Sequence, residues 1–92
     1  MYEIVYNKKF KSAYKKIIRS GRFDIERFQK IVAFFVEGID LPVQYRDHAL
    51  TGNLSGRREC HISGDTLLIY EVYVEKKIVV FDNIGNHAQL FK

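Results

Sequence analysis

The chain has 92 residues, of which 47% are apolar and 14% aromatic, so it can bury a core as one domain over residues 1–92 and is not expected to be disordered. Its single cysteine excludes an internal disulfide and a cysteine-rich zinc motif. The sequence lacks the patterns of a membrane span or a signal peptide, so we expect a cytoplasmic protein with no membrane partner. Its formal net charge of +4 favours nucleic acid or an acidic protein as partner.

The first half of the chain predicts a strand followed by two helices. Residues 2–6 are β-branched and aromatic, as is typical of a short strand. From residue 8 to residue 20 apolar side chains recur at helical spacing, and Asn7 can cap this helix. A second apolar stripe at helical spacing follows Asp24, another capping residue, and ends at Gly38.

The first predicted helix carries a cationic face with two interpretations. The simpler one is a face exposed to solvent. The functional one is a platform for phosphates or a seat for an acidic partner. The cations are Lys8, Lys9, Lys11, Lys15, Lys16 and Arg19.

The second half of the chain predicts strands separated by turns. Residues 39–46 hold the only proline and are predicted to form a loop. The predicted strands are a short one in residues 47–52, two that flank a turn at residues 63–65, and one in residues 78–81, followed by a turn over 82–86 and a closing segment over 87–91. A run of helices followed by strands predicts an α+β fold, in which two N-terminal helices pack on a mostly antiparallel four-stranded sheet in the order βααβββ.

The first strand of the central hairpin has one apolar and one polar face. Because residues two apart share a face of a strand, Cys60 and Ile62 should point one way. Arg57, Glu59 and His61 should point the other way. The second face therefore combines a guanidinium, a carboxylate and an imidazole.

Two further histidines and an aspartate flank this hairpin, and together they permit three kinds of site. His48 precedes the hairpin, Asp65 lies at its turn and His87 follows it. A metal site would need three or four ligands, but no two histidines have the spacing of ligands on one element, and Cys60 should face away from His61. We therefore expect no metal. An ordinary polar surface and an acid–base site remain.

Acid–base chemistry on RNA fits these residue types. Cleavage without metal needs a base for the ribose 2′-hydroxyl, an acid for the 5′-oxygen and cations for the phosphorane. Histidine can serve either proton role near neutral pH, and arginine or protonated histidine can serve as the cation. Phe91 would either pack against the C-terminal segment or stack on a base.

Three motifs stand in order in the C-terminal half: Asp47-His48-Ala49-Leu50-x-Gly52, Arg58-Glu59-Cys60-His61-Ile62-x-x-Asp65-x-Leu67-Leu68-Ile69-Tyr70, and Gly85-Asn86-His87-Ala88-x-Leu90-Phe91. In this order and spacing they resemble the YafQ branch of the RelE-like toxins, whereas the helical half matches only in pattern. The resemblance implies a bacterial toxin of a type II toxin–antitoxin pair, with two helices on an antiparallel sheet. It also implies a ribosome-dependent endoribonuclease that cuts mRNA in the A site and leaves a 2′,3′-cyclic phosphate.

The resemblance also implies partners and site residues. The partners are a DinJ- or RelB-like antitoxin, the ribosome and mRNA, with operator DNA bound through the antitoxin, and no cofactor is needed. By position, the catalytic set comprises His48, His61, Asp65 and His87, and Phe91 is the C-terminal aromatic. We expect His48 or Asp65 to act on the 2′-hydroxyl, His87 to protonate the leaving oxygen and His61 to steady the phosphate.

The expected substrate-binding residues are Arg57, Arg58, Asn83 and Phe91. Arg58 has the position found in the family motif, although strand parity favours Arg57 as the neighbour of His61, and a bulge would reconcile them.

The sequence departs from the family at two positions. Asn83 replaces an arginine, and losing one donor from a preorganised site costs about 10²–10³ in rate. Arg57 is the candidate to supply the missing charge. Thr66 replaces a tryptophan of some members.

These departures leave three functions open. The first is a metal-independent mRNA interferase. The second is a catalytically weakened toxin fold that acts mainly as an antitoxin-binding partner in a repressor complex, and the third is a protein that stalls ribosomes by occupancy alone.

Overall fold

Residues 1–91 of a computed structural model form five strands and three helices. The strands are β1 Glu3–Tyr6, β2 His48–Ala49, β3 Arg58–Ser63, β4 Thr66–Tyr73 and β5 Ile78–Asn86, and the helices are α1 Lys8–Arg19, α2 Ile25–Glu37 and α3 His87–Leu90. Within these residues no helix is long and apolar enough to cross a membrane.

Both long helices begin after the predicted capping residues, and α2 also ends at the predicted Gly38. The side chain of Asn7 accepts a hydrogen bond from the Phe10 backbone at 2.8 Å, and that of Asp24 accepts one from the Arg27 backbone at 3.0 Å. Gly38 ends α2 with a left-handed φ of 71°, which glycine adopts at little cost.

The sheet is mixed, with strand order β1-β5-β4-β3-β2. β1 runs parallel to β5, and the other neighbours are antiparallel. The α+β class and the mostly antiparallel sheet are confirmed, but the sheet has five strands where the sequence predicted four. The strand left out of that predicted order is β2, which lies within the short strand predicted for residues 47–52.

β5 also extends further than predicted, because residues 82–86 form strand and not a turn. The pairing of β5 with β4 shifts between Tyr70, opposite Phe81, and Ile69, opposite Asn83. Asp82 is the additional residue on β5, and this bulge keeps the rest of the strand paired.

The core lies between α1, α2 and one face of the sheet. Cys60 and Ile62 belong to it and have no exposed surface, as strand alternation predicts. The two helices leave the opposite face free for the polar residues of β3. We call this opposite face the open face.

Candidate active site

Two of the predicted site histidines meet at a glutamate on the open face. His48 on β2 lies opposite Glu59 on β3. The Nε2 atom of His48 is 3.3 Å from Oε1 of Glu59, and Nε2 of His61 is 4.0 Å from the same oxygen. The imidazole centroids of the two histidines are 6.5 Å apart. Pairing of β2 with β3 therefore brings two distant parts of the sequence into one cluster.

Glu59 is the most buried member of this cluster. Its side chain is 5% exposed, whereas those of His48 and His61 are 50% and 31% exposed. Its Oε2 atom has no hydrogen-bond partner among residues 1–91. Strand alternation predicted Glu59 on this face, but the predicted site did not include it; its position two residues before His61 was the available signal.

His87 and Phe91 lie in and after α3, with ring centroids 4.9 Å apart. Asn86 and Gln89 form a capping box at the start of this helix, in which each side chain accepts a hydrogen bond from the other residue's backbone at 2.8 Å. Gly85 permits the close approach of α3 to β5, since a Cβ there would lie 2.6 Å from the Gln89 Oε1 atom. Phe91 therefore contacts His87, a predicted catalytic residue. Packing against the C-terminal segment and stacking on a base are thus compatible roles for its ring.

Asp65 and Asn83 line a cleft of about 1040 Å³ between α1, the β3–β4 turn and α3. Its basic lining residues are Lys8, Lys9, Lys16 and Arg22. Part of the cationic face of α1 therefore borders two predicted site residues. Within the described chain, no lysine, arginine or histidine nitrogen lies within 4.0 Å of the Asp65 carboxylate. The Asn83 Oδ1 atom accepts a hydrogen bond from the Ile84 backbone at 2.9 Å.

Arg57 forms ion pairs with two carboxylates. Its Nε atom lies 3.2 Å from Asp82 and 3.8 Å from Glu71, and Asn7 also donates a hydrogen bond to Asp82 at 2.9 Å. Burial and the neighbouring Glu71 raise the pKa of Asp82 to about 6, and the hydrogen bond with Asp82 lowers the pKa of Glu71. The charge of Arg57, which was predicted to bind a phosphate, is thus already paired with carboxylates of the protein.

Arg58 lies on the helix side of the sheet, away from His61. Its Nη2 atom is 2.8 Å from Asp47, which also accepts a hydrogen bond from the Tyr70 hydroxyl. The register shift in β3 falls after His61, between His61 and Ser63, so it does not bring Arg58 to the face of His61. Arg58 connects β3 to the segment that precedes β2.

Neither a thiol nucleophile nor a preformed metal cluster is found in the part of the chain that the structure describes. Burial raises the pKa of the Cys60 thiol far above its usual value, because the thiolate would lose its solvation. No group of three or more histidine, cysteine, aspartate and glutamate side chains within residues 1–91 is arranged to hold a metal ion.

The family model described as "Bacterial toxin of type II toxin-antitoxin system, YafQ" matches residues 2–92. The fold and this match define a toxin of a type II toxin–antitoxin system. Within that class the chain belongs to the YafQ family, which confirms the assignment made from the three motifs. An mRNA interferase toxin YafQ of Escherichia coli K12 is 31% identical over 83% of this chain and 82% of that protein. A YafQ toxin of Haemophilus influenzae is 40% identical over 55% of this chain, and the match spans 52% of that protein.

Solved structures of related toxins have the same fold. A metal-bound toxin from Helicobacter pylori matches with a TM-score of 0.88 and 33% identity, over 99% of this chain and 100% of that one. A chain from the E. coli DinJ–YafQ complex matches with a TM-score of 0.84 and 27% identity, over 100% of both chains.

Proposed function

We propose that this toxin is a ribosome-dependent endoribonuclease that cleaves mRNA in the A site without a metal ion. The observation that carries the proposal is the cluster of His48, Glu59 and His61 on the open face, in a chain related to a protein named mRNA interferase. The 2′-oxygen attacks the adjacent phosphorus, a 2′,3′-cyclic phosphate forms, and the 5′-oxygen leaves with a proton.

We assign these tasks to the side chains that the resemblance to the family implies. His48 or Asp65 takes the proton of the 2′-hydroxyl, His87 donates a proton to the 5′-oxygen, and His61 stabilises the negative charge on phosphorus. The ring of Phe91 beside His87 offers a surface for base stacking. The basic cleft that includes Lys8 and Lys9 holds the RNA backbone.

The partners follow from the family. A DinJ-like antitoxin, like the one in the E. coli complex, neutralises the toxin by covering its basic surface. The toxin acts on ribosomes in the cytoplasm, and its complex with the antitoxin reaches operator DNA through the antitoxin.

One observation favours a second candidate, a weakened toxin that functions mainly as an antitoxin partner. Asn83 carries no charge, and the Arg57 guanidinium is paired with Asp82 and Glu71. Against this candidate, Lys8 and Lys9 line the same cleft as Asn83 and can supply cations there.

Primer extension on a defined mRNA in a purified 70S ribosome tests the proposal. The wild-type toxin should cut at A-site codons, and His87→Ala should not. Lys76→Ala, in the exposed turn at the opposite end of β5 from α3, is the matched control and should cut like the wild type. Intact ribosome binding without any cuts by the wild type would contradict the enzyme and favour the second candidate.

A further inference from the structure

The segment that carries His48 has little buried surface of its own. β2 consists of His48 and Ala49, both exposed, and lies at the edge of the sheet. Arg46 is exposed as well and has a left-handed φ of 51°. Among residues 46–49, Asp47 alone is partly buried. A short edge strand with few apolar contacts opens easily, so its position depends on polar contacts.

The carboxylate of Asp47 makes such contacts with two residues. The Nη2 atom of Arg58 donates a hydrogen bond to Oδ2 at 2.8 Å, and the Nε atom lies 3.2 and 3.3 Å from the two carboxylate oxygens. The Tyr70 hydroxyl donates a further hydrogen bond to Oδ1. A guanidinium that binds a carboxylate through two nitrogens fixes its orientation as well as its distance. We call Asp47, Arg58 and Tyr70 the clamp.

Both partners of Asp47 belong to the central part of the fold. Tyr70 is 2% exposed, and its ring centroid lies 4.6 Å from that of Phe35 on α2. Arg58 begins β3, where it lies opposite Tyr70 on one side and Ala49 on the other. The clamp therefore connects an exposed segment to the buried centre of the sheet.

The clamp and the His48 ring lie on opposite faces of the sheet. Neighbouring side chains of an extended chain alternate between faces, so Asp47 reaches the helix side while His48 lies on the open face. The Nδ1 atom of His48 is 2.8 Å from the carbonyl oxygen of Arg46, within hydrogen-bond distance, so the ring is bound to the backbone of its own segment. The clamp can therefore fix the ring without contacting RNA on the open face.

We propose that Asp47, held by Arg58 and Tyr70, is a positioning residue for His48; its part in cleavage rests on the function proposed above. A group that handles protons or charge is effective only when it is held close to its productive geometry. Arg58, which was predicted from the sequence to bind substrate, then acts through Asp47 from the other side of the sheet. This role is the same whichever task His48 has in the reaction.

Amide hydrogen exchange of the free toxin, read by NMR, tests whether the clamp holds β2. The Leu50 amide donates a hydrogen bond to the Arg57 carbonyl at 2.9 Å, so its exchange reports opening of the segment. Asp47→Asn should speed exchange at Leu50 by about tenfold, because hydrogen bonds to a charged group are lost. The amide of Leu68, buried in β4, should exchange as in the wild type.

Asp24→Asn is the matched control for hydrogen exchange. It makes the same change at the exposed cap of α2, where asparagine caps as well as aspartate, and should leave both amides unchanged. An unprotected Leu50 amide in the wild type, or unchanged exchange there in Asp47→Asn, would overturn the inference. Equal acceleration at Leu50 and Leu68 would mean general destabilisation and would also contradict it.

Cleavage kinetics test the effect of the clamp on His48. A displacement of about 1 Å in a catalytic site can cost about 10² in rate. Asparagine still accepts one hydrogen bond from Arg58, so we expect a smaller loss for Asp47→Asn, roughly tenfold in kcat with KM close to wild type. Arg58→Lys keeps the charge but not the contact through two nitrogens, and kcat should again fall. Asp24→Asn should cleave like the wild type.

A double variant separates positioning from a general loss of structure. In a His48→Ala background, Asp47→Asn should cause no further loss of cleavage, because its effect passes through the missing ring. A further loss there, or a wild-type kcat in both Asp47→Asn and Arg58→Lys, would contradict the positioning role. If the wild type does not cleave, the proposed function fails, whereas hydrogen exchange still decides whether the clamp holds β2.

Discussion

Two clusters of side chains on the sheet are built around carboxylates, but their negative charges are neutralised in different ways. Asp82 and Glu71 have the guanidinium of Arg57, which is charged at every physiological pH. Glu59 has only imidazoles within ion-pair distance among the described residues. The first cluster is therefore suited to holding strands together. The second contains imidazoles, the side chains that most often transfer protons near neutral pH, which suits it to chemistry.

The largest difference between the two clusters is expected when His61 is substituted. We expect His61→Ala to reduce the cleavage rate on the ribosome by about 10²–10³, the usual contribution of a group that handles protons or charge in the transition state. The melting temperature should change little, because the ring is partly exposed. Single-turnover cleavage and thermal unfolding measure the two effects. A wild-type rate in this variant would remove His61 from the site.

Arg57→Met should lower stability and leave cleavage nearly unchanged, the reverse of what we expect for His61→Ala. The variant keeps the length of the side chain but leaves Asp82 and Glu71 without their cation. Since Arg57 is itself 38% exposed, we expect the free energy of unfolding to fall by only about 1 kcal/mol. Cleavage should remain close to wild type.

Urea denaturation and the ribosome assay distinguish the two roles of Arg57. Lost cleavage with unchanged stability would instead mean that Arg57 supplies the phosphate cation in place of the missing family arginine.

The smallest expected effect is a pH dependence of stability in the Arg57 cluster. The pKa of Asp82 is raised in the folded protein to about 6 from an ordinary 3.8. The folded state therefore holds this proton more tightly, and the contribution of Asp82 to stability falls as pH rises from about 4 to about 6. The lowered pKa of Glu71 acts in the opposite direction, because its contribution is lost as pH falls.

Asp82→Asn isolates the contribution of Asp82. As pH rises from about 4 to about 6, the free energy of unfolding of this variant should increase by about 1 kcal/mol relative to that of the wild type. Urea titrations across this range measure the difference. Parallel pH profiles for the two proteins would contradict the raised pKa.

The sequence predicted those features that depend on local pattern. Alternation placed Cys60 in the core and Glu59 on the open face, and capping residues predicted the start of both long helices. The three motifs identified the family and the catalytic candidates. These features need only spacing along the chain.

The features that the sequence did not predict arise from contacts between segments that are distant along the chain. Pairing of Glu59 with His48 depends on β2, which has only two residues and no period. The contact between Arg57 and Asp82 depends on the bulge in β5, and residues 82–86 have the composition of a turn. No local pattern encodes either pairing.

The position of β5 in the sheet has a consequence for synthesis of the toxin. β5 is the last strand in the described chain, yet it lies between β1 and β4, and its first residue, Ile78, pairs with Glu3. Such long-range pairing forms late, because most of the chain must close into a loop before it can be made. β1 therefore cannot join the sheet until β5 has emerged from the ribosome that makes it. A nascent chain that lacks β5 is therefore not yet folded, because β1 has no strand to pair with.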